Sequence, residues 1–398
     1  MLRERIIQFL EERRQKVLEG GVNCIPIPFT RFRSDLPGLE QGCYYLISGS
    51  TKSGKTQLTN YLFVFNTILY CFYNPDRVYP KIFYFPLEET AELITLRFMS
   101  FLLNHLTNGR IRISPTDLKS TDERKPVPQE VLDFMETEPF VDIMALFEQI
   151  VTFDDARNPT GIMKIMKSYA ANNGTIHHKK VQMRDELGQM VEREVFDYYE
   201  ANNPDEYVFI IVDHVSLLDP ESGLKDKDLI IKFSKYMVEL RNRYNYSPVV
   251  VQQQSIETQS LEAFKNNKIR PTVAGLSDSK YTGRDCQVML GITNPSTYEL
   301  STYLDYNIKT FKGNIRFVEV VTNRNGIANG VCPLLFEGEV CAFKELPKPN
   351  ETEKLQRVYN YLNNIRSTSF FNFNNNFINK FVHSKFKSYL CTLFRFKH

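Results

Sequence analysis

An eight-residue motif near the start of the chain constrains the possible folds more than any other feature. Residues 49–56 read GSTKSGKT and match the pattern GxxxxGK[ST] in full. An apolar strand is predicted over 44–48, directly before the motif, and an apolar helical stretch over 58–73 follows it. A phosphate-binding loop requires this order of strand, loop and helix. The motif therefore predicts an α/β domain that binds a nucleoside triphosphate.

The residue types in the motif explain how it would hold ATP. Glycines let successive backbone N–H groups point at phosphate oxygens, and the N-terminus of the following helix adds partial positive charge. Lys55 is expected to reach the β- and γ-phosphates, and the Thr56 hydroxyl to hold Mg²⁺. The residues assigned to nucleotide binding are Gly49, Ser50, Thr51, Lys52, Ser53, Gly54, Lys55, Thr56 and Gln57.

Strands and helices alternate along the chain up to about residue 346. Further strands are predicted over 82–87, 209–213, 249–253, 288–293 and 317–322, and helices over 91–106 and 229–244. Buried strands that alternate with helices predict a mainly parallel sheet covered on both faces. Two segments fit this pattern less well and are interpreted as inserts. Residues 107–150 are polar with a short helix at 128–136, and residues 174–205 resemble a hairpin.

Two other strand ends carry carboxylates that suit phosphoryl transfer. Asp213 ends the strand predicted over 209–213, and in a P-loop nucleotide hydrolase such an aspartate binds Mg²⁺, usually through water. Glu88 follows the strand over 82–87 and could polarise the attacking water. Glu89 is the adjacent alternative, and either glutamate could instead cap the next helix.

Three consecutive glutamines, Gln252, Gln253 and Gln254, occur where the strand predicted over 249–253 ends. A polar amide just past a buried strand can contact the γ-phosphate and transmit its presence to a DNA-contacting loop. Solvated glutamines at a strand end are the alternative interpretation.

Composition sets limits on partners and compartment. The chain has 49 Lys and Arg against 47 Asp and Glu, a net charge of +2, so nucleic-acid binding would have to come from local patches. Seven scattered cysteines without a CxxC pair indicate reduced thiols in a cytoplasm-like compartment. Residues 1–20 are charged throughout, and no run of 18 apolar residues occurs, so we expect neither a signal peptide nor a spanning helix.

The two ends of the chain differ from the central part. Residues 1–19 predict an amphipathic helix that ends at Gly20-Gly21 and either packs on its own domain or docks on a neighbouring subunit. The tail from Arg366 is rich in Asn, Phe and basic residues. Base stacking on its phenylalanines is one interpretation, and a packed helix or a weakly ordered end are the others.

Together these residues resemble the ATPase domain of DnaB-type replicative helicases, which has the RecA-like α/β fold. The resemblance covers roughly residues 22–346, between a docking helix over 1–21 and a C-terminal helix and tail over 347–398. Its most specific part is the sequence Asn323-Arg324-Asn325-Gly326. The other matching segments are 28–30, 36–42, Leu87-Glu88, Asp213, Pro248 and 270–276 with Asp285.

The resemblance implies a role for each matching residue. Glu88 takes the place of the catalytic glutamate, and Gln254 that of the family's glutamine, with Gln253 one residue away. Arg324 is the candidate arginine finger, which would reach the nucleotide of the next subunit. The implied catalytic set is Lys55, Glu88, Gln254 and Arg324, and the implied Mg²⁺ ligands are Thr56 and Asp213.

The family also implies a homo-oligomeric ring, most often of six subunits, that hydrolyses ATP, translocates on single-stranded DNA and unwinds duplex. Central loops near 219–228 and 273–284 would grip the DNA backbone. Their candidate phosphate contacts are Lys225, Lys227, Lys280 and Arg284. A primase or a helicase loader is the further partner, and the bacterial cytoplasm the compartment. The Asn-rich, Trp-free composition suggests an AT-biased genome such as that of a phage.

Departures from the family pattern keep two alternatives open. Thr322 stands where the family usually has a lysine, Ser277 stands at an arginine position of the DNA loop, and only a short helix precedes the ATPase segment in this sequence. The first alternative is a RecA-like ATPase that is stimulated by DNA and does not unwind it. The second is a nucleotide-dependent replication scaffold or loader with slow turnover.

Overall fold

Parallel strands around the phosphate-binding loop form the centre of a nine-stranded sheet. The structure, a computed structural model, describes residues 2–184, 188–255, 269–328 and 330–364. Its strands are β1 (Ile25–Pro26), β2 (Gly38–Leu39), β3 (Tyr45–Gly49), β4 (Tyr79–Pro86), β5 (Val151–Phe153), β6 (Gly174–Arg184), β7 (Met190–Ala201), β8 (Glu206–Asp213), β9 (Ser247–Gln253), β10 (Val288–Thr293), β11 (Thr302–Tyr303), β12 (Tyr306–Asn307), β13 (Ile315–Asn323), β14 (Val331–Glu337) and β15 (Ala342–Glu345). Its α-helices are α1 (Leu2–Leu18), α2 (Lys55–Thr59), α3 (Asn66–Tyr73), α4 (Ala91–Leu106), α5 (Pro115–Leu118), α6 (Gln129–Met135), α7 (Glu138–Ile150), α8 (Pro159–Asn172), α9 (Asp226–Tyr244), α10 (Tyr281–Asp285) and α11 (Thr352–Asn364), and a π-helical segment, Asn60–Phe65, joins α2 to α3.

The sheet has the order β15-β14-β13-β10-β3-β9-β8-β4-β5. The six strands from β10 to β5 run parallel to one another, while β13, β14 and β15 are antiparallel. The prediction of a mainly parallel sheet is therefore confirmed. The antiparallel edge was not foreseen, because a strand buried on both faces has the same apolar sequence in either direction.

Each face of the sheet is covered by its own hydrophobic core. Successive side chains of a strand point to opposite faces, so Tyr45 and Ile47 of β3 belong to one core and Leu46 to the other. The first core includes residues of the π-helical segment, α4 and α7, and the second includes residues of α8 and α9. This layering fixes the carboxyl ends of β3, β4, β8 and β9 at one edge of the sheet.

Both inserts contain more secondary structure than their sequences indicated. In 107–150 the predicted short helix is present as α6, and the longer amphipathic helix α7 follows it and buries Phe140, Ile143 and Phe147. The second insert is the hairpin of β6 and β7, as predicted, with a β-bulge at His177/His178. Its base packs on α9, where the rings of Tyr199 and Tyr244 meet at 5.2 Å.

The end segments differ in how they contact the domain. Helix α1 is attached near its end by an ion pair between Lys16 and Asp205 (2.5 Å), while Phe9 and Leu10 are at least half exposed. Helix α11 is held by a hydrogen bond that Tyr361 donates to the buried Glu337 (2.5 Å). The Phe- and Asn-rich tail from Arg366 lies outside the described residues. No helix in the described part of the chain has the length and apolarity needed to cross a bilayer.

Candidate nucleotide-binding site

The loop between β3 and α2 has the geometry of a phosphate-binding loop. Strand β3 ends at Gly49, and α2 begins at Lys55 after Gly54, whose φ of +103° only glycine adopts readily. A side chain at Gly49 could not fit, because its Cβ would lie 2.4 Å from the carbonyl oxygen of Ile292. The two glycines at the ends of the loop are therefore required by its shape, in agreement with the motif.

Lys55 lies folded along the inside of this loop. Its ammonium donates to the carbonyl of Ser50 at 3.0 Å, and the residue is buried. Burial lowers the pKa of Lys55, while the nearby carboxylates of Asp213 and Glu88 act in the opposite direction. A cation held within the loop, close to two carboxylates, is suitably placed to contact phosphate oxygens and the groups around a metal ion.

Asp213 ends β8 beside the start of α2 and is almost completely buried. Its carboxylate is hydrogen-bonded to Thr56, and its other oxygen, Oδ1, has no partner among the described residues. Burial raises the pKa of Asp213 to about 7, although the bond from Thr56 acts to lower it. A buried, unpaired carboxylate oxygen next to a hydroxyl suits Mg²⁺, which is usually held by one or two carboxylates, water and substrate phosphates. The residues predicted for Mg²⁺ therefore fit the ion.

Glu88 and Glu89 have different surroundings, which separates the two alternatives. The backbone N–H of Glu88 donates to the carbonyl of Asp213 (3.2 Å), and its side chain is about half exposed, with His214 Nε2 3.7 Å from the carboxylate. Glu89 is engaged by both guanidinium nitrogens of Arg97, at 2.6 Å for Nη2 to Oε1. Neither glutamate caps α4, because the Thr90 hydroxyl accepts from Leu93 N instead. Glu88 is thus the carboxylate with freedom to act on a water.

Two residues next to these carboxylates were missed by the sequence analysis. Arg97 of α4 pairs with Glu89 and also donates through Nε to the Gln57 carboxamide oxygen at 2.9 Å, in the amide orientation that satisfies both groups. Gln57 lies on α2, so Arg97 connects the segment after β4 to the helix that carries Lys55. His214 is buried beside Glu88, and burial lowers its pKa. A lone arginine and a lone histidine outside any motif gave no signal in the sequence.

The glutamines after β9 connect the loop strand to a later segment of the chain. Gln254 is buried and donates to Ser48 Oγ (2.8 Å) and the Thr272 carbonyl (3.1 Å), while its own N–H bonds to the carbonyl of Gly49. Gln252 is also buried and donates to the carbonyls of Ser277 and Ser279. The side chain of Gln253 is only partly buried. Gln254 thus lies at the base of the phosphate-binding loop with its amide already bonded, and Gln253 remains open as the alternative.

A buried arginine from the antiparallel edge also contacts the loop. Arg316 of β13 donates through Nε to the carbonyl of Ser53 at 2.8 Å and lies 4.9 Å over the ring of Phe336. Burial lowers the pKa of Arg316 to about 10. Its contact with Ser53 joins residues 263 positions apart in the chain, which explains why the sequence gave no indication of it.

Arg324 lies at the opposite edge of the sheet from Lys55. Its neighbour Asn323 pairs with Val288 at the start of β10, whereas Gly49 pairs with Ile292 near the end of that strand. At about 3.3 Å per residue, these positions are separated by roughly 13 Å along the strand. The turn after β13 is fixed because the Asn323 carboxamide donates to the carbonyls of Asp35 (2.9 Å) and Ile327 (3.2 Å). Arg324 is exposed, as is Ile327 beside it.

The residues predicted to contact DNA fall into two places. Lys225 and Lys227 are exposed at the start of α9, near the carboxyl end of β8, and Lys280 is exposed before α10. The two candidate loops are in contact, because Ser216 donates to the Asp278 carboxylate at 2.6 Å. Arg284, in contrast, lies at the far end of α10, where its carbonyl accepts a hydrogen bond from the Arg324 guanidinium.

Comparison with known proteins identifies the fold. No protein-family model and no curated protein sequence matches the chain. A solved structure of the ATPase domain of a phage-encoded helicase superposes with a TM-score of 0.57 at 14% identity, over 87% of this chain and 99% of that one. A DnaB-like replicative helicase, solved to show its interactions with primase, superposes with a TM-score of 0.58 at 15% identity, over 86% of this chain and 66% of that one. The chain therefore has the RecA-like fold of these helicase ATPase domains, and the predicted fold class is confirmed.

Proposed function

We propose that this chain is an ATP-dependent, ring-forming replicative DNA helicase. The observation that carries the proposal is the division of the hydrolytic residues between two edges of the sheet. Lys55, Thr56, Asp213 and Glu88 meet at one edge, and Arg324 is exposed at the other. A site completed by a second copy of the chain uses both edges, and a head-to-tail arrangement of copies closes into a ring when the rotation permits.

Each residue of the proposed site would perform one part of the hydrolysis. The backbone N–H groups of residues 50–55 cradle the phosphates, and Lys55 turns from the Ser50 carbonyl to the β- and γ-phosphates. Mg²⁺, held through Thr56 and Asp213, neutralises charge on the phosphates. Glu88 orients the attacking water. Arg324 of the adjacent copy stabilises the charge that develops on the γ-phosphoryl group.

Single-stranded DNA is the proposed second ligand. Lys225, Lys227 and Lys280 are exposed on two touching loops and suit contacts to the sugar-phosphate backbone. Gln252 and Gln254 tie one of these loops to the strands that flank the phosphate-binding loop. Changes at the nucleotide can therefore be passed to the DNA-contacting segment through bonded amides.

Helix α1 is proposed to clamp the adjacent copy. Six large apolar side chains on it are about half exposed or more: Ile6, Ile7, Phe9, Leu10, Val17 and Leu18. An amphipathic helix with this much exposed apolar surface is stable when a partner covers it. Residues 22–346 would then form the ATPase domain between this clamp and the C-terminal segment 347–398. A primase or a loader is the proposed further partner.

The proposal is tested by strand displacement on a forked DNA, run beside a mass measurement with an ATP analogue and Mg²⁺. We expect displacement that requires ATP hydrolysis and a closed assembly of several copies. Open filaments with DNA-stimulated hydrolysis and no displacement would favour the recombinase-like alternative. Slow hydrolysis that DNA does not stimulate would favour a scaffold or loader.

A further inference from the structure

Three arginines from distant parts of the chain meet at the edge of the sheet that carries Arg324. The Arg324 guanidinium donates to the carbonyl of Arg284, and Arg241 of α9 donates through Nη1 to the carbonyl of Asp285 at 3.3 Å. Both acceptors are at the end of the short helix α10. The carbonyls at a helix end lack partners within the helix, so two guanidinium groups are held at this one point.

The charges in this cluster are not balanced by acidic groups within the described part of the chain. Arg284 and Arg324 are both exposed, and no ion pair with a carboxylate is found for either among the described residues. The Arg284 guanidinium instead lies 5.5 Å over the ring of Tyr281. The carboxylate of Asp285 accepts a hydrogen bond from Ser234 of α9 at 2.6 Å. Adjacent like charges are unfavourable on their own, and a multiply charged anion would offset that cost.

Thr322 cannot supply a second charge at this edge. Its hydroxyl is buried without a partner among the described residues, and it stands two residues before Arg324. The one described cation next to Arg324 whose side chain extends freely into solvent is Arg284. Arg241 differs, because Nε and Nη2 are bound to the Asn242 carboxamide and Nη1 to Asp285.

We propose that Arg284 is a second cation that each copy contributes to the triphosphate bound by its neighbour. Arg241 acts as a positioning residue that fixes the end of α10, and therefore the place of both Arg284 and Arg324. This inference rests on the proposed function, since it requires a nucleotide at the boundary between two copies. It also reassigns Arg284 from DNA contact to the ATPase site. The separation from Lys225 and Lys227, which lie near the carboxyl end of β8, supports that change.

The test is ATP hydrolysis without DNA by R284A, R284K, R324A and the control K280A, which removes a nearby exposed cation. We expect R284A to lose about 10²-fold in kcat, comparable to the loss of one preorganised donor in a transition-state site. R284K should retain most of the rate because the charge remains. K280A should hydrolyse ATP at the wild-type rate and lose only stimulation by DNA.

Mixed oligomers show whether Arg284 acts on a neighbour. An R284A subunit keeps its own Lys55, and a K55A subunit keeps its own Arg284, so a 1:1 mixture should regain about a quarter of the wild-type rate through intact boundaries. R324A mixed with K55A should behave in the same way. If that second mixture regains activity and the R284A mixture does not, the assignment of Arg284 is wrong while the shared site stands. If neither mixture regains activity, the proposed function itself fails.

Discussion

Arg324 and Lys55 lie at opposite edges of the central sheet, at the two ends of the strand pair β10–β3. Asn323 pairs with the first residue of β10, and Ile292, near its end, pairs with Gly49 of the loop. The separation along the strand is roughly 13 Å at about 3.3 Å per residue. One copy therefore cannot bring both cations to a single phosphate, and hydrolysis is expected to depend on assembly.

The first prediction concerns this dependence. R324A should lower kcat by about 10³–10⁵-fold, the usual value of an arginine finger, with an unchanged thermal midpoint because the side chain is exposed. R243A, which removes a surface arginine of α9 paired with Glu239, is the matched control. ATPase rates over a dilution series check both points, and wild-type specific activity should fall as copies dissociate. Constant specific activity in a single-copy species would contradict the prediction.

The second prediction separates the two neighbouring glutamates. E88Q should reduce kcat by about 10²–10⁴-fold with little change in KM, because the base that orients water is lost while nucleotide binding is retained. E89Q should leave most of the rate and lower the unfolding midpoint, since it breaks the ion pair with the partly buried Arg97. Steady-state kinetics and thermal melts of both variants give the comparison. A greater loss of kcat in E89Q than in E88Q would reverse the assignment.

Residues inside contiguous motifs could be located from the sequence. Gly49, Lys55, Asp213 and Glu88 each follow a recognisable apolar strand, and the parallel sheet brings such strand ends to one edge. The structure accordingly places them together. Arg324 was identified by its sequence context alone, and its position at the far edge is consistent with the role implied for it.

The parts that could not be predicted depend on long-range contacts. Arg316 reaches Ser53 from the antiparallel edge, and nothing near either residue in the sequence indicates the pairing. The pair of Arg97 and Glu89 joins a helix to a strand end at a spacing that matches no local pattern. Helix α7 was missed because its polar neighbours made the whole of 107–150 appear polar. The direction of β13 to β15 follows from their connections, which an apolar strand does not encode.

The third prediction concerns Glu319, a buried carboxylate on β13 that pairs with Arg270 at 3.1 Å. Burial raises its pKa to about 7, well above the value in an unfolded chain. The folded protein therefore binds more protons than the unfolded chain between about pH 4.5 and 7, and this group's contribution to stability decreases as pH rises through that range. E319Q should flatten the decrease by about 1–3 kcal/mol. Urea unfolding at pH 5 and 7 measures it, with E353Q on the exposed side of α11 as control. An unchanged difference between the two pH values in E319Q would contradict the assignment to Glu319.

The last prediction sets stability against function at Asp213. Its carboxylate is buried with one oxygen unpaired, and burial raises its pKa to about 7. At pH 8 without Mg²⁺ the folded protein must hold this charge away from water, which costs about 4 kcal/mol by the shift in pKa. D213N removes the charge at nearly constant volume, so its unfolding midpoint in EDTA should lie above that of the wild type. Mg²⁺ with ATP should stabilise the wild type and have much less effect on D213N, which should lose hydrolysis. A lower midpoint for D213N in EDTA would show that the carboxylate stabilises the fold without a metal, and the Mg²⁺ role would then lose its physical basis.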